Sequence, residues 1–180
     1  MYERISDEVV CERFNFDVID SQVTAPGQPP FSRSWARHPA TVATVAVSAD
    51  QRVPLLRQYR VSIDADNLEL PGGRIDPTDP SPSVAAAREL EEEVGVRPES
   101  VTSLGRFLNS PGHCSQESLL YLAEGLTETE RRLDAHEESA SAVEWVLLAD
   151  VDRLIAEGAV RDAKTIIGLL LAARRLGLHA

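Results

Sequence analysis

The chain has 180 residues, enough for one domain with a substantial core, and its 43% hydrophobic and 26% charged residues are those of an ordinary globular protein. A net charge of −11 argues against a nucleic-acid-binding surface and against attraction to an anionic membrane. Cys11 and Cys114 make no disulfide framework, no apolar run is long enough to span a bilayer, and the N-terminus lacks the basic-then-apolar order of a signal peptide, so the expected location is the cytoplasm.

In chain order, residues 1–20 alternate loosely and predict one or two strands, and Ala25-Pro26-Gly27-Gln28-Pro29-Pro30 is a turn-rich break. Residues 40–47 and 53–60 read as two strands paired around Ala49-Asp50-Gln51. Glu69-Leu70-Pro71-Gly72-Gly73 reads as a strand ending in a glycine turn. A helix follows, with Ser81 and Ser83 as candidate N-caps, Pro82 suited to its first turn and Gly95 as its stop. Val84, Ala87, Leu90 and Val94 form its expected apolar stripe. Further strands are expected at 101–107, 118–123 and 142–148, and helices at 150–157 and 161–176, the last with Ile166, Ile167, Leu170 and Leu171 facing the core. Strands on both sides of a central helix, with more helix at the end, predict an α/β sandwich rather than a doubly wound series.

The first helix carries the chemistry. In Arg88-Glu89-Leu90-Glu91-Glu92-Glu93-Val94-Gly95-Val96, positions 89, 92 and 93 share one helical face and Glu91 points elsewhere. Three carboxylates on one face repel one another unless a cation neutralises them, and clustered carboxylate oxygens suit a hard ion such as Mg²⁺. The same nine residues also read as a solvated acidic face with an Arg88–Glu92 pair, and alone they do not choose between the two.

The glycine turn followed by this helix resembles the signature of the Nudix hydrolases. That pattern is Gly, five residues, Glu, seven residues, then Arg-Glu-apolar-any-Glu-Glu-any-Gly-apolar, and 88–96 matches it throughout. Upstream, Gly73 lies one residue too far from Arg88: counting forward puts Asp79 at the family's first glutamate, and counting back puts Pro80 there. Pro111, fifteen residues after Val96, is similar to a marker of the ADP-ribose pyrophosphatase branch. So are Leu56-Arg57-Gln58-Tyr59-Arg60 with Glu69-Leu70-Pro71, His136-Glu137-Glu138 ahead of Trp145, and the 162–169 stretch Asp162-Ala163-Lys164-Thr165-Ile166-Ile167-Gly168-Leu169.

The resemblance implies a Nudix-type α/β/α sandwich with a mixed sheet over residues 39–180, preceded by a small β subdomain over 1–38. It implies that the Gly72 carbonyl, Glu89, Glu92 and Glu93 surround Mg²⁺, with Mn²⁺ as a substitute, and that Arg88 orients the carboxylates. Glu138 or its neighbour Glu137 is the implied general base and Glu117 a third candidate, whereas His113 and His136 are bystanders. Arg33, Trp35, Arg37, Arg60, Glu69 and Pro111 are the implied substrate contacts, Trp35 either stacking on a base or packing on a strand face. Arg37 replaces an acidic residue common at that point. The implied activity is cleavage of ADP-ribose to AMP and ribose 5-phosphate. Other nucleoside diphosphate sugars such as ADP-glucose or GDP-mannose, and a sensor that binds without hydrolysing, stay open. In the resembled branch the N-terminal segment crosses to a second subunit, which implies a homodimer.

Overall fold

The computed structural model describes residues 1–132 and 141–178, and divides the chain into two compact units: Met1–Ala40 with Phe107–Glu117, and Thr41–Arg106 with Ser118–Ala180.

The first unit is an antiparallel sheet of β1 (Glu3–Glu12), β2 (Asp17–Ala25) and β3 (Gln28–Arg37), in that order. Two strands begin within residues 1–20, as expected, and an unexpected third follows because the break at 25–30 shrinks to a tight turn at Gly27 and Pro29 and Pro30 lie inside β3. An edge strand tolerates prolines that a central one would not. Residues 107–117 join this unit through a parallel bridge between Ala36 and Cys114, with Ala36 N donating to His113 O at 2.8 Å and Ser115 N to Ala36 O at 3.0 Å.

The second unit begins with β4 (Thr41–Ala46), whose five residues after Thr41 are all buried. A strand apolar on both faces has to lie between two layers. Its even positions face α1 (Pro82–Val94): Val42 clusters with Ala85 and Ala86, and Thr44 Oγ1 donates to Ala86 O. Its odd position Val45 meets α3 (Ala163–Arg175) at Gly168. The two helices therefore cover opposite faces of β4, which makes the expected α/β/α sandwich.

Strand pairing corrects one expectation. β4 does not form a hairpin with β5 (Arg52–Arg60); it runs parallel to β9 (Glu117–Glu124), with β8 (Ser100–Leu108) beyond. β5 instead lies between β6 (Ala65–Glu69) and β11 (Ala142–Leu147), antiparallel to both. The turn between β4 and β5 is still tight, with Ser48 N donating to Arg52 O, but it carries the chain from one sheet to the other. The short pair β7 (Val96–Arg97) and β10 (Thr127–Glu128), a 3₁₀ turn at Leu148–Asp150 and α2 (Val151–Ala156) complete the unit.

Both long helices turn differently from their expected stripes. On α1 the buried residues are Ala85, Ala86, Leu90, Glu93 and Val94, and Val84 is exposed. On α3 they are Thr165, Gly168, Leu169, Ala172 and Ala173, and Leu170 is exposed. On α3 close approach contributes: a Cβ at Gly168 would sit 2.6 Å from Leu70 Cδ1 and 3.2 Å from Val45 Cγ2, so a glycine faces the sheet at that point.

Candidate active site

α1 starts at Ser81, whose side chain accepts from Val84 N, with Pro82 at the first position; Ser81 rather than Ser83 is the cap. It ends at Gly95, which takes the left-handed conformation (φ 79°) and donates its N–H to Glu91 O. Residues 129–132 then satisfy the last turn from outside. Arg132 N donates to Glu92 O at 2.9 Å, Arg131 Nε donates to Glu93 O at 2.7 Å, and Thr129 N donates to Gly95 O at 2.8 Å. Arg131 Nη2 also donates to Ser141 Oγ at 3.1 Å, so one guanidinium holds the helix end and the start of β11's approach together. The motif's sequence gives no signal for Arg131, since the contact joins positions 38 apart.

Arg88 is the electrostatic centre of the carboxylate face. Its Nε and Nη2 fork onto Asp79 at 3.1 and 3.0 Å, and its Nη1 lies 3.0 Å from Glu89 Oε1 and 2.9 Å from Glu92 Oε2. These hydrogen bonds, Asp79's first, raise the guanidinium's pKa further above its usual value, and the pairing with Arg88 lowers that of Asp79. Asp79 is the residue of this loop that reaches Arg88, and its Oδ2 also accepts from Asp76 N at 2.8 Å; an Asx turn at Asp76, whose Oδ1 accepts from Thr78 N at 2.8 Å, shapes the loop. Glu91 points away and pairs with Arg97 at 2.7 Å.

The glycine turn runs alongside β4, with Val42 N donating to Gly73 O and Thr44 N to Pro71 O, both at 2.9 Å. Between those two carbonyls, Gly72 turns its N–H to Glu93 Oε2 at 2.7 Å. Gly72 is sterically required by the β4 backbone, whereas a side chain at 73 would displace the Glu89 carboxylate. A Cβ at Gly72 would lie 2.1 Å from Val42 O, and one at Gly73 2.5 Å from Glu89 Oε1. Glu89 therefore occupies the space that a side chain at 73 would fill.

In the chemistry of its donors this set fits a hard divalent cation: carboxylates at 89, 92 and 93 beside a glycine backbone, with Glu89 seated in the room that Gly73 leaves. Among the described residues, no three acidic, histidine or cysteine side chains converge on one point as ligands. Each carboxylate is instead held by the protein, Glu89 and Glu92 through Arg88 and Glu93 through Gly72 N–H. A surface cleft lined by Val47, Ser48, Glu124, Gly125 and Leu176 shares none of these residues.

The expected substrate residues fall in both units. In the second, Arg60 forks onto the buried Glu69 at 2.8 and 2.9 Å, and Lys164 Nζ reaches the same carboxylate at 3.1 Å. Burial alone would raise the Glu69 pKa, but the Arg60 hydrogen bonds and the charges of Lys164 and Arg60 outweigh it and hold it at about 2. In the first unit, Arg37 forks onto Asp17 and the Arg33 guanidinium lies 4.5 Å from the centre of the Phe31 ring. Trp35 Nε1 donates to Ser21 Oγ at 2.7 Å, with Arg4 5.5 Å from its ring centre, so it packs on the strand face. Pro111 sits in the 107–117 segment of that unit, and Glu117 opens β9. Glu137, Glu138 and His136 lie outside the described residues.

A helix bearing carboxylates beside a backbone glycine turn, inside an α/β/α sandwich, presents hard oxygen donors of the kind that divalent cations take. The NUDIX domain model matches residues 37–168. Over 94% of its length the chain is 32% identical to the ADP-ribose pyrophosphatase of Mycobacterium tuberculosis (strain ATCC 25618 / H37Rv), covering 82% of that protein. Over 89% it is 31% identical to the ADP-ribose pyrophosphatase of Bacillus subtilis (strain 168), covering 86% of that protein. The fold is that of a solved structure described as an ADP compounds hydrolase, with TM-score 0.85 and 23% identity, covering 98% of this chain and 94% of that one. The chain belongs to the Nudix family and is a hydrolase acting on pyrophosphate bonds. Enzymes of this family generally use divalent metal ions.

Proposed function

We propose that this protein cleaves the diphosphate linkage of ADP-ribose, giving AMP and ribose 5-phosphate. The observation that carries the reading is the carboxylate face of α1, with Glu89 cradled at Gly73 and Glu93 tied to Gly72, in a chain similar almost end to end to two ADP-ribose pyrophosphatases.

Glu89, Glu92, Glu93 and the Gly72 carbonyl hold Mg²⁺ in this reading, with Mn²⁺ able to replace it. When bound, the ion supplies positive charge against the diphosphate oxygens and acidifies water. Arg88 holds the Glu89 and Glu92 carboxylates in place by ion pairing. Glu138 or Glu137 takes the proton from the attacking water, whose oxygen bonds to one phosphorus as the bridging oxygen leaves. Arg33, Trp35, Arg37, Arg60, Glu69 and Pro111 make up the substrate side. Arg60 and Glu69 act as one ion-paired unit, and Trp35 contributes through the sheet it packs on. The enzyme works as a homodimer in the cytoplasm, on a small molecule and neither on nucleic acid nor at a membrane; no helix among the described residues is long and apolar enough to cross one.

Arg37, paired with Asp17 where an acidic residue is common, favours a second reading in which the sugar or base differs, as in ADP-glucose or GDP-mannose. Incubation of the protein with Mg²⁺ and a panel of nucleoside diphosphate sugars, read as AMP, GMP or UMP release, decides between them. ADP-ribose is expected to give the highest kcat/KM. Binding of ADP-ribose without turnover of any member would instead make the protein a sensor.

A further inference from the structure

The first turns of α3 are far from the signature helix in sequence, yet they grip the residues just before the glycine turn in three ways. Thr165 Oγ1 accepts from Leu70 N at 2.9 Å and donates to Asp162 Oδ2 at 2.7 Å, and Asp162 also caps α3 through Thr165 N. Lys164 Nζ bridges Glu69 Oε2 at 3.1 Å and Asp162 Oδ1 at 2.8 Å. Gly168 leaves the space into which the Leu70 side chain packs. Thr165 is 0% exposed and Leu70 3%, so water does not replace the bond between them. Two residues on, Gly72 donates to Glu93 Oε2 at 2.7 Å.

We infer that Thr165 and Lys164 are positioning residues for the cation site. They fix Glu69 and Leu70 against α3, and thereby set where Gly72 meets Glu93. The chain between them leaves little slack, because Pro71 O and Gly73 O are both committed to β4. A valine at 165 keeps the shape but removes the acceptor, so a buried Leu70 N–H is left without its partner and Leu70 shifts to find another. The inference rests on the reading of Gly72, Glu89, Glu92 and Glu93 as the cation-holding group. Partners that orient ligands typically change metal affinity about 10–100-fold when removed.

The test is calorimetric titration of Mn²⁺ into the substrate-free protein, well below its Tm, for the wild type and for Thr165→Val, Thr165→Ser, Lys164→Met and Glu93→Gln. Thr165→Val is expected to weaken Mn²⁺ binding about tenfold, Thr165→Ser to restore it to within about twofold, and Lys164→Met to weaken it about threefold. With Mg²⁺ and substrate, the half-activating Mg²⁺ concentration rises in parallel. Should Thr165→Val fail to fold, Lys164→Met and the Thr165→Ser rescue carry the decision. Wild-type Mn²⁺ affinity in the folded variants at 164 and 165, with Glu93→Gln losing it, overturns this inference alone. Undiminished binding in Glu93→Gln, or none in the wild type, overturns the cation site itself and the inference with it.

Discussion

Glu69 is a carboxylate with almost no exposed surface, kept ionised by two cations. Its pKa is lowered from 4.5 to about 2, so its contribution to stability is fully present above about pH 4.5 and is lost as the pH falls through 2. That drop corresponds to about 3 kcal/mol. The pKa of Lys164 is moved the other way: burial alone would lower it, but Asp162 and Glu69 raise it, so its contribution holds below 10.5 and fades as the pH climbs through the raised value. Urea unfolding of the wild type and Glu69→Gln at a series of pH values between 5 and 2 should show the wild type losing its advantage over that interval. A constant gap would contradict the assignment. At this scale the sequence was readable wherever a motif fixed the neighbour, as with Arg88 and Glu92. It did not show that Arg60 and Glu69, both expected to contact substrate, also pair with each other: the β5–β6 register sets Glu69 opposite Leu56, and the long Arg60 side chain reaches back along its strand to the carboxylate.

The elements themselves were mostly legible from periodicity, and their faces less so. A period of 3.6 places residues around a helix but does not say how close the helix lies to its sheet. On α3 the close contact at Gly168 turned the expected Leu170 outward. The β4–β5 turn was legible too, but not that its two strands part, since a strand buried on both faces looks like any apolar run until the helices covering it are known. The end of α1 shows a local rule and a distant contact agreeing. Gly95 needs its positive φ, and a Cβ there would also lie 2.9 Å from both Thr129 O and Arg131 Cγ. Gly95→Ala is therefore expected to cost about 2 kcal/mol, seen as a lower urea midpoint with an unchanged slope. A loss of a few tenths would mean that residues 129–132 can yield without cost.

For the whole molecule, β1 is the feature the proposed dimer has to explain. It is an outer strand of ten residues, nearly all exposed, with Ile5, Val9 and Val10 among them. A long edge strand with apolar side chains is a standing invitation to pair with another chain unless something covers it. Sedimentation or light scattering at micromolar concentration should give twice the chain mass. Removal of residues 1–12 should shift the population to monomer, and a fully active monomeric wild type would refute the dimer.

The Arg131 guanidinium, with one arm on Glu93 O and the other on Ser141 Oγ, works as a rivet between the end of the signature helix and the residue that leads into β11. A displacement on either side of the rivet is felt on the other, so a change at Ser141 reaches the backbone of Glu93 without touching it.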